Sequence, residues 1–129
     1  MHKILFTLCI CLTVGIFARP VVAGTCEGGS EITAQDNHQF CVSSVGMTWW
    51  AAFAWCKRQG RELATLQQAC DDWYGATGDS ACPNLAVGTD KYVWTANPYG
   101  ASNAYNVHLS SGSIPNYGNR NLNYYALCF

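Results

Sequence analysis

The stretch MTWWAAFAWCKRQG, residues 47–60, decides the fold of this chain. It predicts a helix from Thr48 to Gln59, because the Thr48 hydroxyl can accept a hydrogen bond from the backbone N–H groups of the first turn. The alanines within the stretch favour a helix. Gly60 stands where a residue in the left-handed conformation commonly ends one. The preceding residues, 24–46, are polar and Gly-rich and predict a strand or hairpin.

The aromatic side chains of this helix are predicted to pack in the core. A helical repeat places one stripe of side chains along a single face of the segment. Stacking of a tryptophan on a ligand is the alternative. The predicted stripe consists of Ala51, Ala54, Trp55 and Arg58, with Trp50 and Phe53 beside it.

A second helix is predicted from Leu66 to about Tyr74, ending at Gly75. At its start, the side chains of Thr65 and Gln68 can each bind the other residue's backbone N–H group, which is the arrangement of a capping box. Residues 75–90 contain several glycines and predict a loop.

The last third of the chain predicts strands. The run Tyr92–Thr95 is typical of a buried strand. Apolar and polar residues alternate over 105–110, which predicts a half-buried strand. A turn is expected at Ser111–Gly112 and a closing strand at Tyr124–Phe129. Helices followed by several strands predict an α+β fold with an antiparallel sheet.

Composition excludes several classes of protein. The chain has 129 residues, of which 13% are aromatic and 12% are charged, and its formal net charge is −1. The length supports a single domain. Many aromatic and few charged residues exclude a disordered chain. The near-neutral balance excludes a nucleic-acid-binding protein that works through a basic surface.

Residues 1–23 predict a secretory signal. The apolar run Ile4–Phe17 is followed by Val21–Ala23, small residues that suit cleavage before Gly24. The run is shorter than the roughly 20 apolar residues that a membrane-spanning helix needs. We therefore expect a mature domain of residues 24–129 without a membrane span, located outside the cell, in the periplasm or at the cell surface.

The cysteine count has to be corrected for this signal. Two of the eight cysteines, Cys9 and Cys11, would leave with it, and the mature chain would carry five basic against eight acidic residues, a charge of −3. Six cysteines in an oxidising compartment predict three disulfides. Their number alone leaves the pairing open.

A sequence pattern links these observations to a known domain family. The first helix matches W-x-x-A-x-x-x-C-x-x-x-G, and the residues before the second helix match x-L-A-x-L/I. Over residues 26–129 the chain therefore resembles the C-type lectin-like domain family, which implies two helices packed on antiparallel sheets and three disulfides. The matching residues are Trp49, Ala52, Cys56 and Gly60, then Leu63, Ala64 and Leu66, and more loosely Tyr92–Thr95 and Leu127–Cys128.

The resemblance also implies a disulfide pairing. Cys56 on the first helix would bond to Cys128 on the last strand, and Cys26 to Cys41 in an N-terminal hairpin. The remaining pair, Cys70 and Cys82, departs from the family's usual second disulfide, which lies among the later strands.

The calcium site of the best-known lectins in this family is not expected here. Those proteins hold Ca²⁺ through E-P-N or Q-P-D in a long loop and W-N-D in a late strand, and Ca²⁺ requires several oxygen ligands. No Asp or Glu follows Asp90, and Asn97–Pro98 lacks the acidic or amide partner of the family's motif. We therefore expect no metal and no other cofactor. The remaining candidate ligands are interpreted as solvated charges; they are Asp71, Asp72, Asp79 and Asp90.

Residues 97–125 are rich in Asn and Tyr, which suit a binding surface. Asn both donates and accepts hydrogen bonds, and Tyr offers an amphipathic ring with little conformational entropy to lose. The alternative is that Asn makes turns and Tyr fills the sheet. Arg120 could pair with an acidic sugar or a carboxylate. The predicted ligand-binding residues are Tyr99, Asn103, Tyr117, Asn119 and Arg120.

The sequence thus predicts a recognition domain that binds a carbohydrate or a protein without calcium. A structural or adhesive subunit of a surface appendage is the alternative, with an assembly partner in place of a free ligand. A small secreted hydrolase is a second alternative, in which His38 and His108, with Lys57 or Lys91, would transfer protons. Ordinary surface histidines explain these residues better, and no catalytic motif is present.

Overall fold

The computed structural model describes residues 24–70 and 82–129. The predicted signal, residues 1–23, lies outside the described residues, as does the predicted continuation of the second helix beyond Cys70. Three of the candidate metal ligands also lie outside them, namely Asp71, Asp72 and Asp79.

The described residues form an α+β fold with two helices and six strands. A single turn of 3-10 helix, Pro83–Leu85, lies in the segment predicted to be a loop. None of the helices in the described part of the chain is long and apolar enough to cross a membrane. In chain order the elements are β1 (Gly29–Thr33), β2 (Gln39–Ser43), α1 (Trp49–Arg58), α2 (Leu66–Cys70), β3 (Tyr92–Tyr99), β4 (Asn103–His108), β5 (Ser113–Asn119) and β6 (Tyr125–Cys128).

The strands form one sheet in the order β1-β2-β6-β3-β4-β5. Neighbouring strands are antiparallel except for β3 and β6, which are parallel. The prediction of a purely antiparallel sheet is therefore wrong. Parallel neighbours need a long connection, and β4 and β5 provide it between β3 and β6. The last strand consequently lies in the middle of the sheet instead of at its edge.

Helix α1 begins and ends within one residue of its predicted bounds. The Thr48 hydroxyl accepts a hydrogen bond from the Ala51 N–H group at 3.3 Å. Gln59 is the C-terminal cap, and Gly60 adopts a positive φ of 69°. Both boundaries are thus set by the residues that the sequence indicated.

The buried face of α1 is not the predicted stripe. Ala51, Ala54 and Arg58 are exposed, and Trp50 is 58% exposed. The prediction that Trp50 packs in the core is wrong. Residues three and four apart share a helix face, and the Cys56–Cys128 disulfide turns one such face toward β6. That buried face consists of Trp49, Ala52, Trp55 and Cys56.

Hydrophobic clusters cover both faces of the sheet. The cluster on the α1 side contains Trp49, Trp55 and Trp94, and the cluster on the other side contains residues of α2 and the 3-10 turn. As a consequence, Asn106 is only 1% exposed although its position was predicted to face solvent. The predicted alternation is therefore wrong at Asn106, which pairs with the buried Trp94 of β3, whereas Val107 and Leu109 are buried as predicted.

The capping box predicted at the start of α2 is confirmed. The Thr65 N–H group donates to Gln68 Oε1 at 2.9 Å, and the Gln68 N–H group donates to Thr65 Oγ1 at 3.1 Å. The Leu66 N–H group, at the same end of α2, donates to Asn97 Oδ1 on β3 at 2.8 Å. Helix α2 is therefore attached to the sheet through its capping interactions.

All six cysteines of the described residues form disulfides, in the pairs that the family resemblance implies. Cys56–Cys128 joins α1 to β6. One of the other two disulfides joins the N-terminal segment to β2, and the second joins α2 to the start of the 3-10 turn. These two disulfides are Cys26–Cys41 and Cys70–Cys82.

Candidate functional site

Four of the five predicted ligand-binding residues share one face of the sheet. The register pairs Tyr99 with Asn103, and Asn103 with Asn119. Residues that pair across strands lie on the same face, as do alternate residues of one strand, such as Tyr117 and Asn119. The strand pairing therefore brings Tyr99, Asn103, Tyr117 and Asn119 together, and we call this set the Tyr–Asn face.

Stacked tyrosines form the apolar part of the Tyr–Asn face. The rings of Tyr99 and Tyr117 stack with centroids 4.2 Å apart and an angle of 22° between their planes. Tyr105, which packs against the core, meets Tyr99 edge to face at 5.1 Å. Tyr99 is 40% exposed and Tyr117 is 50% exposed. Aromatic surface is thus accessible on this face and is held in place by a third ring.

The asparagines of the Tyr–Asn face supply its polar groups. Asn119 is exposed and Asn103 is half-buried. The Asn119 side chain also shapes its own turn, because Oδ1 accepts the Asn121 N–H group at 2.9 Å. The hydrogen bonds described for these two residues use the backbone carbonyl of Asn103 and Oδ1 of Asn119.

Arg120, the fifth predicted residue, turns toward α1 instead. Its guanidinium donates through Nε to the Asn103 carbonyl oxygen at 3.0 Å and through an Nη to the Gly100 carbonyl oxygen at 3.0 Å. The same group lies 4.6 Å from the ring centre of Trp49 and 5.5 Å from that of Trp50. Arg120 therefore joins the loop after β5 to the start of α1.

Trp50, which was predicted to pack in the core, is a further candidate ligand-binding residue. Its exposed ring borders a shallow cavity of about 220 Å³. Adjacent residues of a helix point about 100° apart, so a helix with one buried face need not bury both Trp49 and Trp50, and this was the available signal. We call this the Trp50 cavity; its lining residues are Trp50, Ala101, Ser102, Asn119, Arg120 and Asn121.

Other asparagines of the Asn/Tyr-rich segment have structural positions. Asn97 caps α2. Asn106 is buried, and among the described residues its Oδ1 atom has no hydrogen-bond partner. For these two residues the structure agrees with the alternative of turns and core.

The two histidines of the hydrolase alternative lie apart. His38 immediately precedes β2 and stacks on Phe129 with ring centres 4.4 Å apart. His108 ends β4, where Nε2 lies 2.9 Å from Asp90 Oδ1. Strands β6 and β3 separate β2 from β4, so the histidines do not form one acid–base pair. The two lysines have other contacts: Lys57 pairs with Glu62 at 2.5 Å, and Lys91 lies 4.5 Å from the ring centre of Tyr125.

Potential metal ligands are not clustered in the described part of the chain. Residues 24–70 and 82–129 contain no group of three or more His, Cys, Asp or Glu side chains that could hold an ion. Asp90, the one predicted candidate in these ranges, is 94% exposed and pairs with His108.

Comparison of the chain with protein-family models gives no match, and comparison with curated proteins gives none either.

Proposed function

We propose that this protein is a secreted or surface-located recognition domain that binds a carbohydrate or protein ligand without calcium. The observation that carries the proposal is the Tyr–Asn face, where strand pairing places two stacked, half-exposed tyrosines beside two asparagine amides. We further propose a C-type lectin-like fold. It is supported by the match between the family's helix pattern and the buried face of α1, together with the three disulfides.

Binding at the Tyr–Asn face would combine stacking with hydrogen bonding. The ring surface that the stacked Tyr99 and Tyr117 leave exposed can pack against the C–H groups of a sugar ring or against an apolar side chain. The amides of Asn103 and Asn119 can donate to hydroxyl or carbonyl oxygens. Because the tyrosine rings already contact one another, little side-chain entropy remains to be lost on binding.

Calcium has no evident place in this mechanism. No acidic residue follows Asp90 in the sequence, and the Tyr–Asn face consists of neutral side chains. Ligand specificity would come from direct contacts with protein groups instead of from a metal shell.

The test is binding of the purified domain to a glycan array and to candidate surface proteins, with and without a chelator. Substitution Tyr117→Ala should weaken binding at least about tenfold, because an exposed aromatic anchor is lost. Tyr92→Ala is the matched control, because Tyr92 is 39% exposed but lies at the other end of β3. Chelator-sensitive binding, or equal effects of the two substitutions, would contradict the proposal.

One observation favours the alternative of an appendage subunit. β5 is an edge strand of the sheet and carries Tyr117 and Asn119. Edge strands have unpaired backbone groups that can pair with a strand of another molecule. Co-purification of the domain within a filament, with no glycan bound, would support assembly over free ligand recognition.

A further inference from the structure

We propose that the Trp50 cavity is a binding subsite for a sugar that carries a carboxylate, such as a sialic acid or a uronic acid. The inference deepens the proposed function and rests on it, because it assumes that this end of the molecule binds glycans. It names the chemical class of the ligand and adds Trp50 to the site.

Arg120 brings an uncompensated charge to the Trp50 cavity. The ion pairs of the described residues are Lys57–Glu62, Arg61–Glu31 and His108–Asp90, so Arg120 has no carboxylate partner among them. It is also the only Asp, Glu, Lys or Arg after Lys91. A guanidinium is always protonated in proteins. The cavity therefore borders a positive charge that no neighbouring acid of the described chain compensates.

The Arg120 guanidinium is held in one orientation by its contacts. The backbone carbonyls of Asn103 and Gly100 accept two of its N–H groups, and the Trp49 ring lies beneath it. Its orientation is thus fixed before a ligand arrives. The remaining N–H groups can bind both oxygens of a carboxylate, an arrangement that is stronger and more directional than a neutral hydrogen bond.

The lining and size of the Trp50 cavity suit a single sugar ring. Trp50 offers an exposed ring on which a sugar can stack, and Ser102, Asn119 and Asn121 surround it with hydroxyl and amide groups. The volume of about 220 Å³ is below the roughly 300–1,000 Å³ of pockets that hold drug-sized ligands. A single sugar ring suits this size better than a large ligand does.

Asn119 connects the cavity to the Tyr–Asn face, because it belongs to both. A glycan could therefore place a terminal acidic ring against Trp50 and Arg120 and its next, neutral ring against Tyr117. In this arrangement the Trp50 cavity selects for charge, and the Tyr–Asn face adds stacking contacts.

The experiment compares pairs of glycans that differ by their acidic terminus. Lactose and 3′-sialyllactose form one pair, and a glucose-terminated and a glucuronic-acid-terminated disaccharide form the other. Titration calorimetry in the presence of EDTA should show that at least one acidic glycan binds about tenfold or more tightly than its neutral partner, since a charge-assisted hydrogen bond is added. The preference should decrease at high salt.

Three variants test the residues. Trp50→Ala should lower the affinity for the acidic glycan about tenfold or more. Arg120→Lys should remove most of the preference for the acidic glycan, because lysine keeps the charge but loses the planar donor fork. Val45→Ala is the matched control, because Val45 is 61% exposed and does not line the cavity. Circular dichroism melts establish that each variant is folded.

The outcomes distinguish this inference from the proposed function. Equal affinity for acidic and neutral glycans, with no effect of Trp50→Ala, would overturn the inference, while loss of binding in Tyr117→Ala would still support the Tyr–Asn face. Acidic binding that Trp50→Ala abolishes and Tyr117→Ala leaves unchanged would support the inference and count against the face. If none of the four glycans binds, the inference is wrong, while the proposed function is still decided by the glycan array and the candidate surface proteins.

Discussion

The turn between β4 and β5 requires glycine at position 112. Gly112 has a positive φ of 66° in the turn between β4 and β5, and a Cβ atom there would overlap the carbonyl oxygen of Cys82. The backbone of the turn accepts the Cys82 N–H group. Because Gly112 has no side chain, the turn can lie close to Cys82, which the disulfide joins to Cys70.

The first prediction concerns Gly112→Ala. It should lower the free energy of unfolding by at least about 2 kcal/mol, because an unfavourable backbone angle is combined with a steric overlap. Gly88→Ala is the control, since Gly88 also has a positive φ, of 75°, but no atom of the described residues would lie within 4 Å of the added Cβ. Its cost should be about 1–2 kcal/mol. If both variants lost the same free energy of unfolding in urea denaturation, the overlap at position 112 would be relieved by local movement.

The second prediction separates the two adjacent tryptophans of α1. Trp49 is 6% exposed, and its Nε1–H group donates to the Thr95 carbonyl oxygen at 2.8 Å. Trp49→Ala should cost about 3–5 kcal/mol of stability, the range for large-to-small changes in a core. Trp50→Ala should cost about 1 kcal/mol or less, because exposed positions contribute little. Thermal melts of the two variants measure the difference. If Trp50→Ala lowered the stability more than Trp49→Ala, the described orientation of α1 would be wrong.

Among the elements, α2 depends most on its capping interactions. Only five of its residues are helical within the described chain, and a helix of that length is marginal without tertiary support. Its first turn has that support from Thr65 and Gln68, and from Asn97 on β3. The capping box was evident in the sequence, whereas the contact from Asn97 depends on where β3 lies.

The third prediction tests this cap with a conservative pair of substitutions. Thr65→Ala should destabilise the protein by about 1 kcal/mol, because the Gln68 N–H group loses its acceptor. Thr65→Ser keeps the hydroxyl and should cost less than half as much. Chemical denaturation of both variants measures the difference. If the Ser and Ala variants were equally unstable, the methyl group and not the hydrogen bond would be the important part of Thr65.

At the scale of the whole molecule, one disulfide links elements that are distant in the sequence. Cys56–Cys128 spans 72 residues and Cys26–Cys41 spans 15. The long-range disulfide attaches α1 to β6, the strand that joins the two halves of the sheet. It therefore connects the main helix directly to the centre of the fold.

The fourth prediction compares the loss of these two disulfides. Replacing Cys56 and Cys128 together with Ala should cost about 4 kcal/mol, and replacing Cys26 and Cys41 about 3 kcal/mol, because closing a longer loop restricts the unfolded chain more. Equilibrium unfolding of the two double variants gives the order. Non-reducing peptide mapping should recover the three described pairs, and a Cys56–Cys70 peptide would refute the fold.

What the sequence by itself determined is local or follows from the family pattern. The bounds of α1 and the capping box depend on side chains next to the N–H groups they bind, so neighbouring residues are sufficient to predict them. The family resemblance implied the disulfide pairs, and the Asn/Tyr-rich composition of residues 97–125 remains the basis of a predicted binding surface. Hydrophobic periodicity was less informative, because it indicated the wrong face of α1.

Only the tertiary structure decided which residues meet. The parallel pairing of β3 with β6 and the burial of Asn106 both arise from elements that are far apart in the chain. The same is true of the site, because strand register gathers four of the predicted residues on one face, whereas Arg120 turns toward Trp49 and Trp50. Contacts of this kind depend on how the sheet is ordered and covered, and no stretch of neighbouring residues contains that information.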